Sequence, residues 1–162
     1  MRVFLAGASG AIGRPLVPKL VEAGHEVTGA TRSEESAEAI RAAGARAAVL
    51  DVFDREALTA AMRESGAEAV VHQLTALPDR LDFKDPKLYD ATNRLRGEGT
   101  RNLLEAARAA GARRIVCQSI AFAYAPGREA ELKDEDAPLA LGAPPPFGDG
   151  VRAIAEMEGA VV

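Results

Sequence analysis

Gly7, Gly10 and Gly13 stand three apart in the segment Gly7-Ala-Ser-Gly-Ala-Ile-Gly13. An apolar run, Val3-Phe4-Leu5-Ala6, precedes them, and Ile12-Gly-Arg-Pro-Leu-Val-Pro-Lys-Leu-Val-Glu22 follows with a helical pattern. A glycine turn between strand and helix lets the backbone come close to a pyrophosphate, and the free N–H groups and positive dipole end of the helix attract the anion. The spacing is GxxGxxG rather than GxGxxG, and taken alone it describes a tight turn in any α/β protein. The strand before it, the helix after it and a βαβ-length unit behind it point to dinucleotide binding. Gly7, Ser9, Gly10, Ala11, Ile12 and Gly13 are the expected phosphate cradle.

The end of the second apolar run bears on which dinucleotide this is. A carboxylate there would accept hydrogen bonds from a ribose 2′-hydroxyl, but Thr31 holds the place and Arg32 follows. A guanidinium binds a 2′-phosphate bidentately where a carboxylate would repel it, so NADP is expected ahead of NAD. The plainer alternative for Arg32 is a solvated loop charge. His25 sits in the turn before the second strand, and His72 lies within a strand, where a satisfied core histidine is the first expectation. Cys117 falls inside an apolar run and reads as a small hydrophobe. No His, Cys, Asp and Glu spacing resembles a metal site.

These residues need elements to hold them. The chain has 162 residues, 48% of them hydrophobic and only 4% aromatic, so one domain with an aliphatic core is expected. A net charge of -4 argues against a nucleic-acid surface, and one cysteine excludes an internal disulfide framework. No window approaches the roughly 18 apolar residues of a membrane span, and the expectation is a cytoplasmic protein. Strand-like runs at 2–6, 26–31, 46–50, 69–73 and 114–118 alternate with helical patterns near 12–23, 34–43, 54–65, 88–110 and 150–160. That alternation predicts a doubly wound parallel α/β sheet. Gly24 and Gly44 close helices, Ser33 and Asp54 open them, and Leu95, Gly99, Asn102, Leu103, Ala106 and Ala110 trace an inner stripe. Residues 124–149, with Pro126, Pro138, Pro144 to Pro146 and acids from Glu129 to Asp136, read as an irregular, mobile excursion.

Across 1–156 the sequence resembles the short-chain dehydrogenase/reductase superfamily, in its extended and atypical NAD(P)-dependent epimerase/dehydratase branch. Gly7 to Gly13 is similar to that family's glycine fingerprint, and Leu50-Asp51-Val52 to its adenine-binding pair. Ala69-Val-Val-His-Gln-Leu-Thr-Ala76 resembles its fourth strand, Glu98 to Ala107 its fourth crossover helix, and Arg114 to Tyr124 its fifth strand with the loop beyond. The resemblance implies a Rossmann fold in which Asp51 and Val52 meet the adenine while Leu74, Thr75 and Ala76 line the ribose and pyrophosphate. It also implies a sixth strand and a substrate lobe that the sequence does not carry. This predicts a truncated chain spanning 1–162, or one completed by a partner, with the fifth strand an apolar edge open to homo-oligomer formation.

The catalytic part of the pattern breaks. The family positions its substrate with Ser or Thr and moves a proton with Tyr-x-x-x-Lys, whose lysine lowers the tyrosine pKa. Ile120 falls at the Ser/Thr position with Ser119 one residue before, leaving Ser119 as the catalytic candidate. Phe147 and Val151 occupy the Tyr and Lys positions, with Arg152 one place off. Tyr124 matches a different family tyrosine, and Arg96 takes the place of the usual Asn, Asn93 lying about a turn earlier. The leading expectation is an NADP(H)-binding oxidoreductase or epimerase/dehydratase-like protein acting on an unidentified small molecule, without nucleic-acid or membrane partners. The alternative is a non-catalytic dinucleotide sensor or scaffold.

Overall fold

The structure, a computed structural model, describes residues 1–77, 80, 82, 85, 87–127 and 132–162. Five strands form one parallel sheet: β1 (Arg2–Ala6), β2 (Glu26–Thr31), β3 (Arg46–Val49), β4 (Ala69–His72) and β5 (Arg114–Cys117), in the order β3-β2-β1-β4-β5. Each falls within a run expected from the sequence. The register pairs Ala6 with Ala30 and with His72, and His72 with Cys117, so four carboxyl ends finish at one level. The strand order reverses direction between β1 and β4, which opens a crevice above those ends.

Helices cover both faces. Phe4 and Leu5 are wholly buried and alternate sides, as a pleated central strand requires. Phe4, Ala6 and Val70 pack with Leu58 and Met62 of α3 (Arg55–Ser65) and with Leu103 and Ala106 of α5 (Thr100–Ala110). Leu5 and Val27 pack with Val17 of α1 (Gly13–Glu22) and Ile40 of α2 (Glu34–Ala42). The side-chain oxygens of Ser33 and Asp54 accept from the backbone N–H groups of Ser36 and Ala57, at 3.3 and 3.0 Å, capping α2 and α3. Gly24 and Gly44 adopt φ of 79° and 86° just past their helices, where a side chain would be strained.

The single helix expected over 88–110 is interrupted. It comprises α4 (Asp90–Arg94), a π-helical stretch Leu95–Gly99, and α5. Leu95, Gly99, Asn102, Leu103 and Ala106 of the expected inner stripe are buried, joined by Gly97, Thr100 and Ala107, while Ala110 is only partly covered. The added residue of a π turn re-aims the side chains after it, which a uniform 3.6-residue reading does not anticipate. The last helix, α6 (Phe147–Val161), starts three residues earlier than expected.

Glu129 and Glu131, within the expected excursion, lie outside the described residues. What is described of 124–149 is pinned at both ends. Ala125 N–H donates to Pro138 O at 2.7 Å and Ala140 N–H to Ala123 O at 2.8 Å. Ala123 and Ala140 then pack with Val151 and Ile154 of α6. At the sheet edge, Ile115 joins the main core while Val116 is 58% exposed. Among the described residues, no helix is long and apolar enough to cross a membrane.

Leu103 is completely buried where α5 meets the sheet and α3. Leu103→Ala is expected to cost about 2–5 kcal/mol in chemical denaturation, the range for a leucine cavity that neighbours cannot close. Leu141→Ala, at a half-exposed position, serves as the control and should shift the midpoint far less.

Candidate functional site

A cleft of about 480 Å³ lies above the carboxyl ends of β1, β2 and β4, within the size range of small-molecule sites. Gly7, Ser9 and Gly10 form its floor, with Thr31 and Arg32 at the end of β2. Asp51 and Val52 bound one end, and Leu74, Thr75 and Ala76 the other. Ala11, Ile12 and Gly13 do not line it. Ile12 is 46% exposed and Gly13 is the first residue of α1, so these residues aim the helix rather than wall the cleft.

The three glycines have different reasons to be glycine. Gly7 has φ of 89°, and a Cβ there would lie 2.7 Å from the backbone of Gln73 beyond β4. A Cβ on Gly13 would lie 2.1 Å from the Gly7 carbonyl oxygen. Both positions are closed by the protein itself. Gly10 is looser, since its Cβ would meet only Gly7 O, at 3.3 Å, on a surface that faces the cleft.

Hydrogen bonds hold the walls. The Ser9 and Thr31 hydroxyls lie 3.2 Å apart, joining the glycine loop to β2, and Arg14 Nε donates to Ser9 O at 2.9 Å. One Asp51 carboxylate oxygen accepts from Phe53 N–H at 2.9 Å, and buried Asn102 donates to Val52 O at 3.1 Å. Ala76 N–H donates to the Thr92 hydroxyl at 3.0 Å. Arg32 is exposed and has no ion pair among the described residues.

His72 belongs to this scaffold rather than to a reaction. Leu74 N–H donates to its Nδ1 at 3.1 Å, so Nε2 carries the proton and donates to Thr100 Oγ1, also at 3.1 Å. Burial holds its pKa down at about 4. Cys117 behaves as the sequence indicates: burial, reinforced by the Glu158 charge, pushes its thiol up to about 11. Ser119 is turned away from the cleft. Its hydroxyl donates to the Glu158 carboxylate on α6, while Gln118 and Ile120 line a small cavity at the end of β5. Alternation along extended chain puts those two residues on one side and Ser119 on the other. Phe147 and Val151 pack in the apolar cluster under α6, where Val151 is 1% exposed.

Two residues, Arg94 and Gln73, escaped the sequence reading, and Arg96, expected in the place of a family Asn, lies close to them. Arg94 lines the cleft, pairs with Glu98 at 2.8 Å and lies 3.7 Å from the centre of the Phe53 ring. Arg96 lines the small cavity beside the cleft. Gln73 Oε1 is buried on the cleft wall without a hydrogen-bond partner among the described residues. An orphaned acceptor above a glycine cradle fits a ligand carrying hydroxyl or amide donors, as a dinucleotide does. No local pattern marks Gln73, because only the fold reveals that its amide is enclosed.

A parallel sheet in this order, with its crevice at the reversal between β1 and β4, defines a Rossmann-type protein of the short-chain dehydrogenase/reductase kind. The chain belongs to the NAD(P)H-binding family, whose family model matches residues 7–143. It is 53% identical over 161 residues to a 3-diazoavenalumate denitrifying reductase from a Streptomyces species, covering 98% of this chain and 50% of that protein. It is 35% identical over 139 residues to a 4-hydroxy-2-methyl-3-oxo-4-farnesyl-3,4-dihydroquinoline-1-oxide ketoreductase from Stigmatella aurantiaca, covering 86% and 39%. The NAD complex of the UDP-glucose 4-epimerase from Thermus thermophilus superposes with a TM-score of 0.75 at 28% identity, covering 99% of this chain and 49% of that one. The chain spans about half the length of the curated relatives it matches.

The His72 environment predicts a pH dependence of stability. A free histidine titrates near 6.5, so between pH 6.5 and about 4 the unfolded chain binds a proton that the folded protein refuses. This contribution is complete above pH 6.5 and is lost as pH falls toward 4, by roughly 3 kcal/mol at most. Urea titrations across this window should show a smaller slope of stability against pH for His72→Asn than for the parent.

Proposed function

We propose that the chain binds NADP(H) in this cleft as the cofactor-holding part of a reductase. The pyrophosphate lies over the Gly7–Gly10 turn at the α1 N-terminus. Arg32 takes the 2′-phosphate, Asp51 and Val52 meet the adenine, and Leu74, Thr75 and Ala76 run beside the ribose toward the nicotinamide. The exposed guanidinium of Arg32 favours NADP over NAD. Thr31 does not compete for the ribose, its hydroxyl being engaged with Ser9.

The observation that carries the reductase reading is the apolar pair Phe147 and Val151, packed in the cluster under α6. Bound cofactor supplies a hydride equivalent. Reduction of a carbonyl leaves an alkoxide that needs a proton, and neither residue can supply or relay one. An acceptor that takes hydride without that demand suits the site. A diazo acid, the kind of compound in the name of the Streptomyces relative, meets the condition. Hydride adding to the terminal nitrogen of a diazonium group forms an N–H bond and gives a neutral diazene. The C–N bond then breaks, hydrogen passes to carbon and N₂ leaves. An epimerase needs the proton relay in both directions, which makes it the poorer fit.

Calorimetric titration of NADPH and NADH into the chain tests cofactor choice. NADPH is expected to bind at least tenfold tighter, and Arg32→Ala should remove that preference while sparing NADH. Equal affinities in the parent overturn the assignment.

Gly10→Val, at the loosest of the three glycines, should weaken both cofactors together while thermal stability stays near that of the parent. Gly13→Val, in contrast, should lower stability itself, because its Cβ collides with the loop backbone. With simple aldehydes and ketones, NADPH oxidation should stay far below the order of 1 per second typical of enzymes. A rate of that order would show that the site holds a proton donor and would overturn this reading.

A further inference from the structure

Arg94, the last residue of α4, lines the dinucleotide cleft together with Asp51, Val52 and Phe53 of the β3–α3 loop. Its guanidinium carbon stands 3.7 Å from the centre of the Phe53 ring. So short a separation fits stacked planes, since a guanidinium that points its N–H groups at a ring holds its carbon further away. One face of the cation is therefore covered. An edge is taken as well: Nε and Nη2 donate to the two carboxylate oxygens of Glu98, at 2.8 and 3.3 Å. A two-point contact of this kind fixes the plane. Phe53 is itself half-buried, packed against the core cluster that holds Val52, Leu58 and Leu95.

With one face and one edge engaged, 57% of the Arg94 side chain is still exposed. What stays open is the opposite face, on a residue that walls the cleft. The fork is occupied by Glu98, so Arg94 is not available to grip a phosphate at two points. Its face is what it can offer. Asp51 lies near enough for its charge to favour the cation, yet the two form no ion pair among the described residues. One Asp51 oxygen accepts from Phe53 N–H, which leaves the other for a ligand donor. Val52, Leu58, Ala91 and Leu95 add apolar wall to the same cleft. An apolar wall, a fixed flat cation and one carboxylate oxygen together suit an aromatic base that carries an amino group.

We propose that Arg94 stacks its open face on the adenine of the bound dinucleotide, so that base, guanidinium and Phe53 ring form three layers. This rests on the reading that the cleft holds NADP(H). A guanidinium is planar, delocalised and weakly hydrated, so it stacks on an aromatic face where an ammonium would keep its water. Stacking reads the flat face of a base and not its edge, whereas the free Asp51 oxygen meets the edge. Arg94 therefore sets how tightly the base is held, and Asp51 sets which base it is. Glu98 and Phe53 are positioning residues. They hold the plane before the ligand arrives, so little side-chain freedom is lost on binding.

Calorimetric titration with NADP⁺ and with its hypoxanthine analogue, in which a carbonyl oxygen replaces the adenine 6-amino group, tests this division. Arg94→Ala is expected to weaken the two ligands alike, by about tenfold, leaving their ratio within about twofold of the parent's. Arg94→Lys should lose nearly as much. A lysine keeps the positive charge, the pairing with Glu98 and the contact with Phe53, and lacks only the plane. Parent-like affinity in Arg94→Ala overturns the proposal. Parent-like affinity in Arg94→Lys also overturns it, since Arg94 would then be a brace for the loop or a plain counter-charge to the phosphates. A loss confined to the adenine ligand overturns it too, because Arg94 would then act through Asp51. Should Arg94→Ala not fold, Arg94→Lys decides the matter alone. A parent that takes up neither dinucleotide overturns the cofactor reading, and this proposal with it.

Discussion

Two stretches of backbone meet at the carboxyl end of β1 with no space for a side chain between them. The Gly7 turn passes so close to Gln73 that a Cβ would sit 2.7 Å from its carbonyl carbon, and α1 begins so close to that turn that Gly13 is equally closed. Everything above the sheet follows from this contact. It sets the height at which α1 starts, and hence where its unpaired N–H groups face. It also fixes the β4 continuation against the glycine loop, so the cleft opens between elements that cannot slide apart. His72 reinforces the arrangement from below by accepting the Leu74 N–H, with its other nitrogen fixed to Thr100. A histidine used in this way must stay neutral, which the low pKa ensures.

Much of the frame could be read from sequence because its determinants are local. Apolar runs bounded by glycine, capping residues such as Ser33 and Asp54, and glycines just past helix ends act within a few residues of where they stand. The strand order is also constrained, since right-handed crossovers leave few ways to stack βαβ units. The interruption at Leu95–Gly99 was not legible. It coincides with two glycines, Gly97 and Gly99, whose bare faces accept Glu156 from α6 and Val52 from the β3 end. Those partners are distant in sequence, and a helical pattern alone gives no sign that they arrive.

The site divides in the same way. Gly7, Ser9, Gly10 and the strand-end residues line one cleft, because a strand end fixes where the next residue must lie, whereas Ala11, Ile12 and Gly13 fall outside it. Ser119 could not be placed, because its neighbours decided the facing: Gln118 and Ile120 take the cavity side and leave the hydroxyl to Glu158. Arg94 was equally hidden. Its contact with the Phe53 ring depends on the β3–α3 loop, which buried Asn102 holds through Val52.

The positive charge around the start of α6 has a physical logic of its own. Val151 is buried and Gly150 leaves the helix surface bare, while the cation of α6 itself, Arg152, turns to Asp149 and to the Leu141 carbonyl. The neighbouring helix fills the gap with Arg96, reaching across at the point where the π turn opens. A guanidinium cannot act as a lysine does: at its very high pKa it holds its protons, so it orients and neutralises an anion rather than exchanging a proton. On α6 the places that the resemblance gives to a tyrosine and a lysine hold Phe147 and Val151, both packed in the apolar cluster. Arg96 is thus held by geometry, with Gly150 leaving room for it and Asn93 accepting its hydrogen bond, rather than by an opposing charge.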